Sequence, residues 1–153
     1  MTDSDHDPSE KTYRAIGRFM FAFSQLEFAL RYYLGEEIGI GLDDQHFSAV
    51  VESYDVGVLC TVVTEVFKKS RGEENATQIK ELISSFRSLN DIRNRVAHGL
   101  WVPSKDGGTV HHVARRSLKS TPSANQAEAL EKLADEAFML KAELERALTT
   151  LDI

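Results

Sequence analysis

Apolar residues recur at intervals of three and four along three long stretches of the chain, a spacing that predicts amphipathic helices. The three apolar stripes are Ile16, Phe19, Met20, Phe23, Leu26, Leu30, Tyr33 and Leu34; Ile79, Leu82, Ile83, Phe86, Leu89, Ile92 and Val96; and Leu130, Leu133, Ala137, Leu140, Leu144, Ala147 and Leu151. Asp7-Pro8-Ser9-Glu10 has the residue order of a helix start, so the first helix is expected from there to about Ile38. The helix that carries the second stripe is expected to run from a cap at Asn75 to Gly99, a natural left-handed terminator. The last helix is expected to begin at Thr121-Pro122.

The region 44–70 has a less certain pattern. Its apolar residues recur in pairs four positions apart: Val58, Leu59, Val62, Val63, Val66 and Phe67. This spacing favours a helix, but the run is rich in β-branched residues, so a strand competes. Phe47, Val50 and Val51 indicate a further short helix. A break or fresh cap at Asp55 to Gly57 leaves open whether the region holds one helix or two.

A short insertion follows the third main helix. Leu100 to Val102 and Thr109 to Ala114 resemble short strands. Pro103 and Asp106-Gly107-Gly108 supply a turn between them, which predicts a small β-hairpin within residues 100–119. The fold class is therefore expected to be all-α in the main: an up-and-down bundle of four to five helices with this hairpin insertion.

The composition is that of a globular protein. At 153 residues and 42% hydrophobic, the chain is expected to form one domain, 1–153, with residues 1–7 flexible. The single cysteine, Cys60, excludes an intramolecular disulfide and a multi-cysteine zinc site. Met1 to Glu10 carries four acidic residues and no Lys or Arg, and no apolar run approaches the roughly 18 residues of a membrane span. A cytoplasmic protein without membrane contact is expected.

The net charge of −6 is unevenly distributed along the chain. Residues 86–119 hold seven basic and two acidic groups, whereas residues 1–10 and 121–153 each carry a net charge of −4. A basic middle between acidic flanks indicates a candidate anion site, although an ordinary solvated surface is the more frequent meaning of such a pattern.

Two charged residues fall inside apolar stripes: Glu27 on the first helix and Arg93 on the third. Charged side chains are almost never fully buried without a partner, so these two are expected to meet, with Glu27 orienting Arg93. A purely structural salt bridge, or two long side chains that reach solvent, is the competing interpretation.

The third helix closes with the run Asn90-Asp91-Ile92-Arg93-Asn94-Arg95-Val96-Ala97-His98-Gly99. Asn94 and His98 are four residues apart and share a helix face. Arg93 directly precedes Asn94 and lies one position further round the helix. Histidine exchanges a proton near neutral pH, arginine binds a phosphate through two hydrogen bonds, and an amide can orient an imidazole. These groups are the ones needed to activate a hydroxyl and to stabilise a phosphorane.

Arg93-Asn94-x-x-x-His98 resembles the R-N-x-x-x-H signature of HEPN (higher eukaryote and prokaryote nucleotide-binding) domains. These are helical bundles found in prokaryotic toxins and in RNA-processing or antiviral ribonucleases. Phe23-Ser24-x-Leu26-Glu27 is similar to the family's first helix, and Asp91-Ile92 also looks typical of the family. The resemblance implies a homodimer in which two motif helices face each other across a shared cleft. It also implies cofactor-free, metal-independent RNA cleavage, in which the ribose 2′-hydroxyl attacks the adjacent phosphate.

Carried over to this chain, the resemblance makes His98 a general acid or base, Arg93 the ligand of the scissile phosphate and Asn94 an orienting group. Supporting roles are expected for Glu27, Asn90 and Asp91, and RNA contacts for Arg95, Trp101, Arg115 and Arg116. Core or dimer packing is the more frequent role of an aromatic such as Trp101.

A noncatalytic HEPN-like interaction or RNA-binding module is the alternative function, for example one half of a toxin–antitoxin pair whose antitoxin is encoded separately. Many members of the family lack catalysis, and the acidic overall charge is compatible with this alternative. A metal site is not expected, because the adjacent His111 and His112 would point to opposite faces of a strand.

Overall fold

The computed structural model describes residues 8–102, 109–111, 113–114, 117–118 and 126–149. Its helices are α1 (Pro8–Glu37), a short π-helix (Ser48–Glu52), α2 (Val56–Arg71), α3 (Glu73–His98) and α4 (Gln126–Thr149). The strands are β1 (Leu100–Val102), β2 (Thr109–His111), β3 (Val113–Ala114) and β4 (Ser117–Leu118). The structure is mainly helical, which confirms the predicted all-α class.

The first half of the chain follows the apolar pattern closely. α1 ends one residue before the predicted boundary. The region 44–70 is helical and contains two segments, the π-helix and α2, so the competing strand is excluded. The carboxylate of Asp55 accepts a hydrogen bond from the backbone N–H of Val58 at 2.8 Å, which confirms the predicted cap.

Both ends of α3 differ from the predicted ones. The helix begins two residues before Asn75, whose side-chain amide donates to the carbonyl of Arg71 at 3.3 Å instead of capping the helix. The connection from α2 is the single residue Gly72, with φ +82° and ψ 173°, a conformation open almost only to glycine. Gly99 ends α3 in an extended conformation, with φ −80°, and not in the predicted left-handed one.

The helix directions follow the five-helix version of the predicted up-and-down order, with the π-helix as the second segment. Arg18 near the start of α1 pairs with Glu131 near the start of α4 at 2.8 Å. Further along both helices, one turn after Arg18 and two turns after Glu131, the rings of Phe21 and Phe138 lie 6.5 Å apart. α1 and α4 therefore run in the same direction, as the first and last of five alternating segments do, whereas those of a four-helix up-and-down bundle would be antiparallel.

The connection between α1 and α2 contains the additional segment, the π-helix. The ring of Phe47 lies where a side chain on Gly35 would be, near the end of α1. One turn earlier on α1, Arg31 donates a hydrogen bond of 2.9 Å to the carbonyl of Val51. The chain thus passes back along α1 before α2 begins, which periodicity alone does not reveal.

The hydrophobic core lies between the helices. Its fully buried large side chains are Phe19, Leu26, Leu30, Leu34, Val51, Leu59, Val63, Phe67, Ile79, Phe86, Leu130 and Leu144. Burial of each such side chain contributes on the order of 1.5–3 kcal/mol. Phe23 of α1 stacks on Phe86 of α3, with ring centroids 5.2 Å apart and planes 8° apart. This contact holds the two helices together next to the predicted motif.

The predicted hairpin insertion lies only partly within the described residues. β1 pairs with β2 in antiparallel register, with Trp101 opposite Val110, and β3 pairs with β4. The predicted turn at 103–108 lies outside the described residues, as do the terminus 1–7 and the helix start at 121–122. The insertion as a whole therefore stays a prediction.

The ends of α1 and α2 are joined by an ion pair with little solvent exposure. Arg71 donates two hydrogen bonds to the carboxylate of Glu37, at 2.7 and 3.2 Å, and the hydroxyl of Ser70 donates to the same carboxylate. The Arg71 guanidinium also lies 4.8 Å from the ring centroid of Phe67. Hydrogen bonding from Arg71 holds the pKa of Glu37 below its ordinary value. The contribution of Glu37 to stability is therefore present above the unfolded pKa and is lost as the pH falls through the folded pKa.

Glu37→Gln is expected to lower the free energy of unfolding at neutral pH, because the neutral amide loses the charge-assisted hydrogen bonds from Arg71. The difference from wild type should shrink at acidic pH, because the carboxylate itself becomes protonated as the pH falls through its lowered pKa. Urea denaturation at both pH values measures it, with the exposed neighbour Glu36→Gln as the control. A difference that does not change with pH would contradict the assigned role of Glu37.

Gly72→Ala is expected to destabilise the fold by about 1–3 kcal/mol, because a side chain at this backbone conformation is strained. Gly17→Ala is the matched control: it lies in the interior of α1, and an added Cβ would contact nothing within 4 Å. Because alanine favours helix, this control should stabilise the protein by about 0.5–1 kcal/mol. The midpoints of urea unfolding separate the two changes, and equal midpoints for Gly72→Ala and wild type would exclude strain at this turn.

Candidate functional site

The predicted motif lies on the last turns of α3. α2 and α3 are antiparallel neighbours, and Arg87 donates a hydrogen bond of 3.3 Å to the hydroxyl of Thr61, near the start of α2. Because α2 begins at Val56, little more than one turn before Thr61, the end of α3 extends past the start of α2. Asn94 and His98 are exposed there.

One edge of the core-facing side of α3 becomes less buried towards this end. Ile83, Asn90 and Ala97 are each seven residues apart and therefore share one helix face. Ile83 is buried, Asn90 is half-buried and Ala97 is exposed. The side-chain oxygen of Asn90 is buried and accepts no hydrogen bond within the described part of the chain. A buried polar atom without a partner in this part of the chain thus lies at the edge of the apolar face, where the motif begins.

Arg93 is held half-buried by an aromatic ring. Its guanidinium carbon lies 5.3 Å from the ring centroid of Phe23, which is itself stacked on Phe86. A cation over a ring face is stabilised by about 0.5–2 kcal/mol. The contact uses the ring face and leaves the guanidinium N–H groups without a hydrogen bond or ion pair to any described residue.

Arg93 differs in this respect from the other half-buried arginines of the described ranges. Arg18 pairs with Glu131 and Asp135, Arg31 with Glu27, and Arg71 with Glu37. Arg93 is the fourth half-buried arginine in these ranges, and no acidic side chain there lies within ion-pair distance of it. The site therefore carries a positive charge that no described carboxylate neutralises.

The predicted pairing of Glu27 with Arg93 is wrong. The carboxylate of Glu27 accepts a hydrogen bond of 2.6 Å from Arg31, one turn later on α1. Arg31 in turn donates to the carbonyl of Val51 in the connection that passes back along α1. Since this nearer arginine neutralises Glu27, the ring of Phe23 and not a carboxylate positions Arg93.

The other motif residues present polar groups to solvent. Asn94 and His98 lie one turn apart on α3, and no hydrogen bond joins their side chains in the described structure. Asp91 and Arg95 are exposed on the same turns. An exposed imidazole next to an exposed amide is accessible to a substrate hydroxyl.

Trp101 has a structural contact. Its indole N–H donates a hydrogen bond of 3.0 Å to the carbonyl of Val96, and its half-buried ring packs against the core. This bond satisfies one of the carbonyls left free at the end of α3. A role of Trp101 in stacking on RNA stays a prediction, and Arg115 and Arg116 lie outside the described residues.

The arrangement can bind an anion through Arg93 and exchange a proton through His98. Sequence reasoning placed Phe23 in the apolar stripe but missed its contact with Arg93, because nothing in the pattern of one helix signals a partner on another. Among the residues that the structure covers, no group of three or more His, Cys, Asp or Glu side chains could hold a metal ion. None of the helices in those ranges has both the length and the apolarity needed to cross a membrane.

Comparison of the chain with protein-family models, with curated proteins and with solved structures finds no match. The likeness to HEPN domains therefore rests on the Arg93-Asn94-x-x-x-His98 motif and on the short segment of α1 around Phe23.

Proposed function

We propose that the protein is a HEPN-like, metal-independent endoribonuclease that acts as a cytoplasmic homodimer on RNA. The observation that carries the proposal is the state of Arg93: half-buried over Phe23, with its N–H groups free of any described partner. A guanidinium stays charged at physiological pH and its planar fork matches two oxygens of a phosphate. Binding of the scissile phosphate would supply the missing counter-charge.

Cleavage in this proposal is a transfer within the RNA strand. His98 takes the proton of a ribose 2′-hydroxyl while its oxygen forms a bond to the adjacent phosphorus. The bond from phosphorus to the 5′-oxygen breaks, and that oxygen receives a proton from a second imidazole. Arg93 stabilises the charge that develops on the phosphorane oxygens, and Asn94 orients the imidazole or the substrate. The products are a 2′,3′-cyclic phosphate and a 5′-hydroxyl.

The geometry of α3 favours a site shared between two subunits. Arg93 and His98 are five residues apart, roughly 140° around the helix axis, so one helix presents them on different sides. One histidine cannot serve as base and acid in a single pass. A second α3 helix facing the first would supply the other imidazole. In the proposed dimer the hairpin insertion adds Arg115 and Arg116 as RNA contacts.

A noncatalytic interaction module is the second candidate function, and a different surface supports it. Phe21 and Phe28 are 59% and 48% exposed, although they lie two turns apart on one face of α1. Phe21 continues this apolar surface to Phe138 of α4. Because Phe21 is two residues before Phe23, it points to the side of α1 away from Arg93. A separately encoded antitoxin bound there would leave the motif open.

Wild-type protein is expected to cleave single-stranded RNA of mixed sequence in the presence of chelator, leaving cyclic phosphate ends, and to leave DNA of the same sequence intact. His98→Ala should lower kcat by about 10²–10⁴-fold, as loss of a general acid or base does. Arg93→Ala should lower it by about 10²–10³-fold through loss of charge stabilisation. Lys132→Ala, which removes an exposed cation of α4, should cleave as wild type does.

Circular dichroism and sedimentation must show that the variants are folded and have the same oligomeric state as wild type. A folded wild-type dimer that leaves all RNA intact would contradict the nuclease. If a neighbouring gene's protein then binds wild type but not Phe21→Ala/Phe28→Ala, the interaction module is favoured. A protein that remains a monomer of 17.2 kDa would contradict the shared site.

A further inference from the structure

A cleft of about 330 Å³ lies between α2 and α3, apart from the residues of the predicted motif. It is lined by Thr61, Thr64, Glu65, Lys80, Ile83, Ser84 and Arg87. Ile83 is buried and forms its floor, and the remaining lining residues are polar.

The cleft has more positive than negative charge. Lys80 and Arg87 lie two turns apart on α3 and both line it. Arg87 donates one hydrogen bond, to Thr61, which turns its guanidinium across the cleft towards α2. Within the described ranges neither cation has a carboxylate partner, although Glu65 lines the same cleft. One carboxylate faces two cations, so the cleft has a net charge of about +1.

The hydroxyl groups of the cleft include a free donor. Thr64 and Thr61 donate to the backbone carbonyls one turn before them in α2, at 2.8 and 3.2 Å. The hydroxyl of Ser84, between the two cations, makes no hydrogen bond to any described residue. The free donors are therefore an ammonium, most of a guanidinium fork and one hydroxyl, a set that suits phosphate oxygens.

The cleft and the motif share one exposed face of α3. The residues of this face recur at alternating intervals of four and three: Lys80, Ser84, Arg87, Asp91, Asn94 and His98. This spacing keeps them on one side of the helix, and all of them are exposed. Arg87 and His98 are eleven residues apart, which is about 16 Å along the helix axis. A single strand that passes His98 along α3 therefore reaches the cleft.

We propose that the α2–α3 cleft binds two neighbouring backbone phosphates of the RNA strand that is cleaved at His98, one through Lys80 and the other through Arg87. This inference rests on the proposed function and extends it, because it assigns a second contact a few nucleotides from the scissile phosphate. Phosphate contacts contribute strongly to affinity for nucleic acids and make it dependent on salt. The cleft therefore selects extended single strands over the shortest substrates.

The test compares Lys80→Ala/Arg87→Ala with Lys69→Ala/Lys132→Ala, which removes two exposed cations outside the cleft. Binding of a labelled 2′-O-methyl RNA of about 12 nucleotides, which cannot react, is followed by fluorescence anisotropy at several salt concentrations. Loss of the two cleft contacts should reduce the slope of log K against log salt by about 1.4, at about 0.7 for each contact. The control should keep the wild-type slope.

Two further measurements separate the cleft from the catalytic residues. On cleavable RNA of the same length, the cleft variant should raise KM and leave kcat unchanged, while cleavage of a dinucleotide stays at the wild-type rate. Ser84→Asp is a second variant that keeps both cations. It should weaken binding by placing a carboxylate in the cleft, and unfolding midpoints check that each variant is folded.

The outcomes distinguish the two proposals. If the cleft variant binds RNA with the salt slope of the control, the cleft proposal is overturned, whether or not wild type cleaves. If the slope changes as expected but wild type does not cleave, the cleft stands as an RNA-binding site and the nuclease fails. If wild type binds no RNA at any salt concentration, both proposals fail.

Discussion

The stacked contact between Phe23 and Phe86 is the constraint on which the rest of the site depends. It fixes α1 against α3 two turns before Arg93. The ring of Phe23 makes two contacts: it packs on Phe86 in the core, and it lies beneath the guanidinium of Arg93. A rigid aromatic platform orders a long, flexible side chain without neutralising it, and so the packing of the core determines the chemistry that is possible at the end of α3.

The structural arginines differ from the functional one in whether a carboxylate neutralises their charge. Arg18, Arg31 and Arg71 each form an ion pair with a carboxylate: Arg18 and Arg71 with one on another helix, and Arg31 with one on its own helix. A half-buried arginine that lacks such a partner has a positive charge without a counter-charge, which favours the binding of an anion. The structure stabilises Arg93 in another way, through a ring face, and this leaves its hydrogen-bond donors for a ligand. The same reasoning applies more weakly to Lys80 and Arg87, which are exposed and therefore better screened by solvent.

Much of the local structure could be predicted from the sequence because it depends on neighbours in the chain. The spacing of apolar residues located the long helices, and the Asp55 cap follows from one side chain and a backbone N–H three residues later. Predictions that depended on a choice between local signals were less successful. Asn75 resembles a cap, but the glycine before the helix allows α3 to start earlier, and Gly99 ends it without a left-handed conformation. In both cases the surrounding chain, which propensity does not describe, selected between conformations of similar energy.

The sequence by itself determined the helical class, the core-facing stripes and the position of the motif at the end of one helix, because periodicity and short-range hydrogen bonding are properties of a single segment. Only the tertiary structure decided which helices run in the same direction, since that depends on how residues 38–55 pass back along α1. It also decided the partners of the charged residues. Glu27 found Arg31 on its own helix, one turn away, and Arg93 was left over the ring of Phe23. Contacts between helices depend on where each helix is placed in space, and no one-dimensional pattern records that distance.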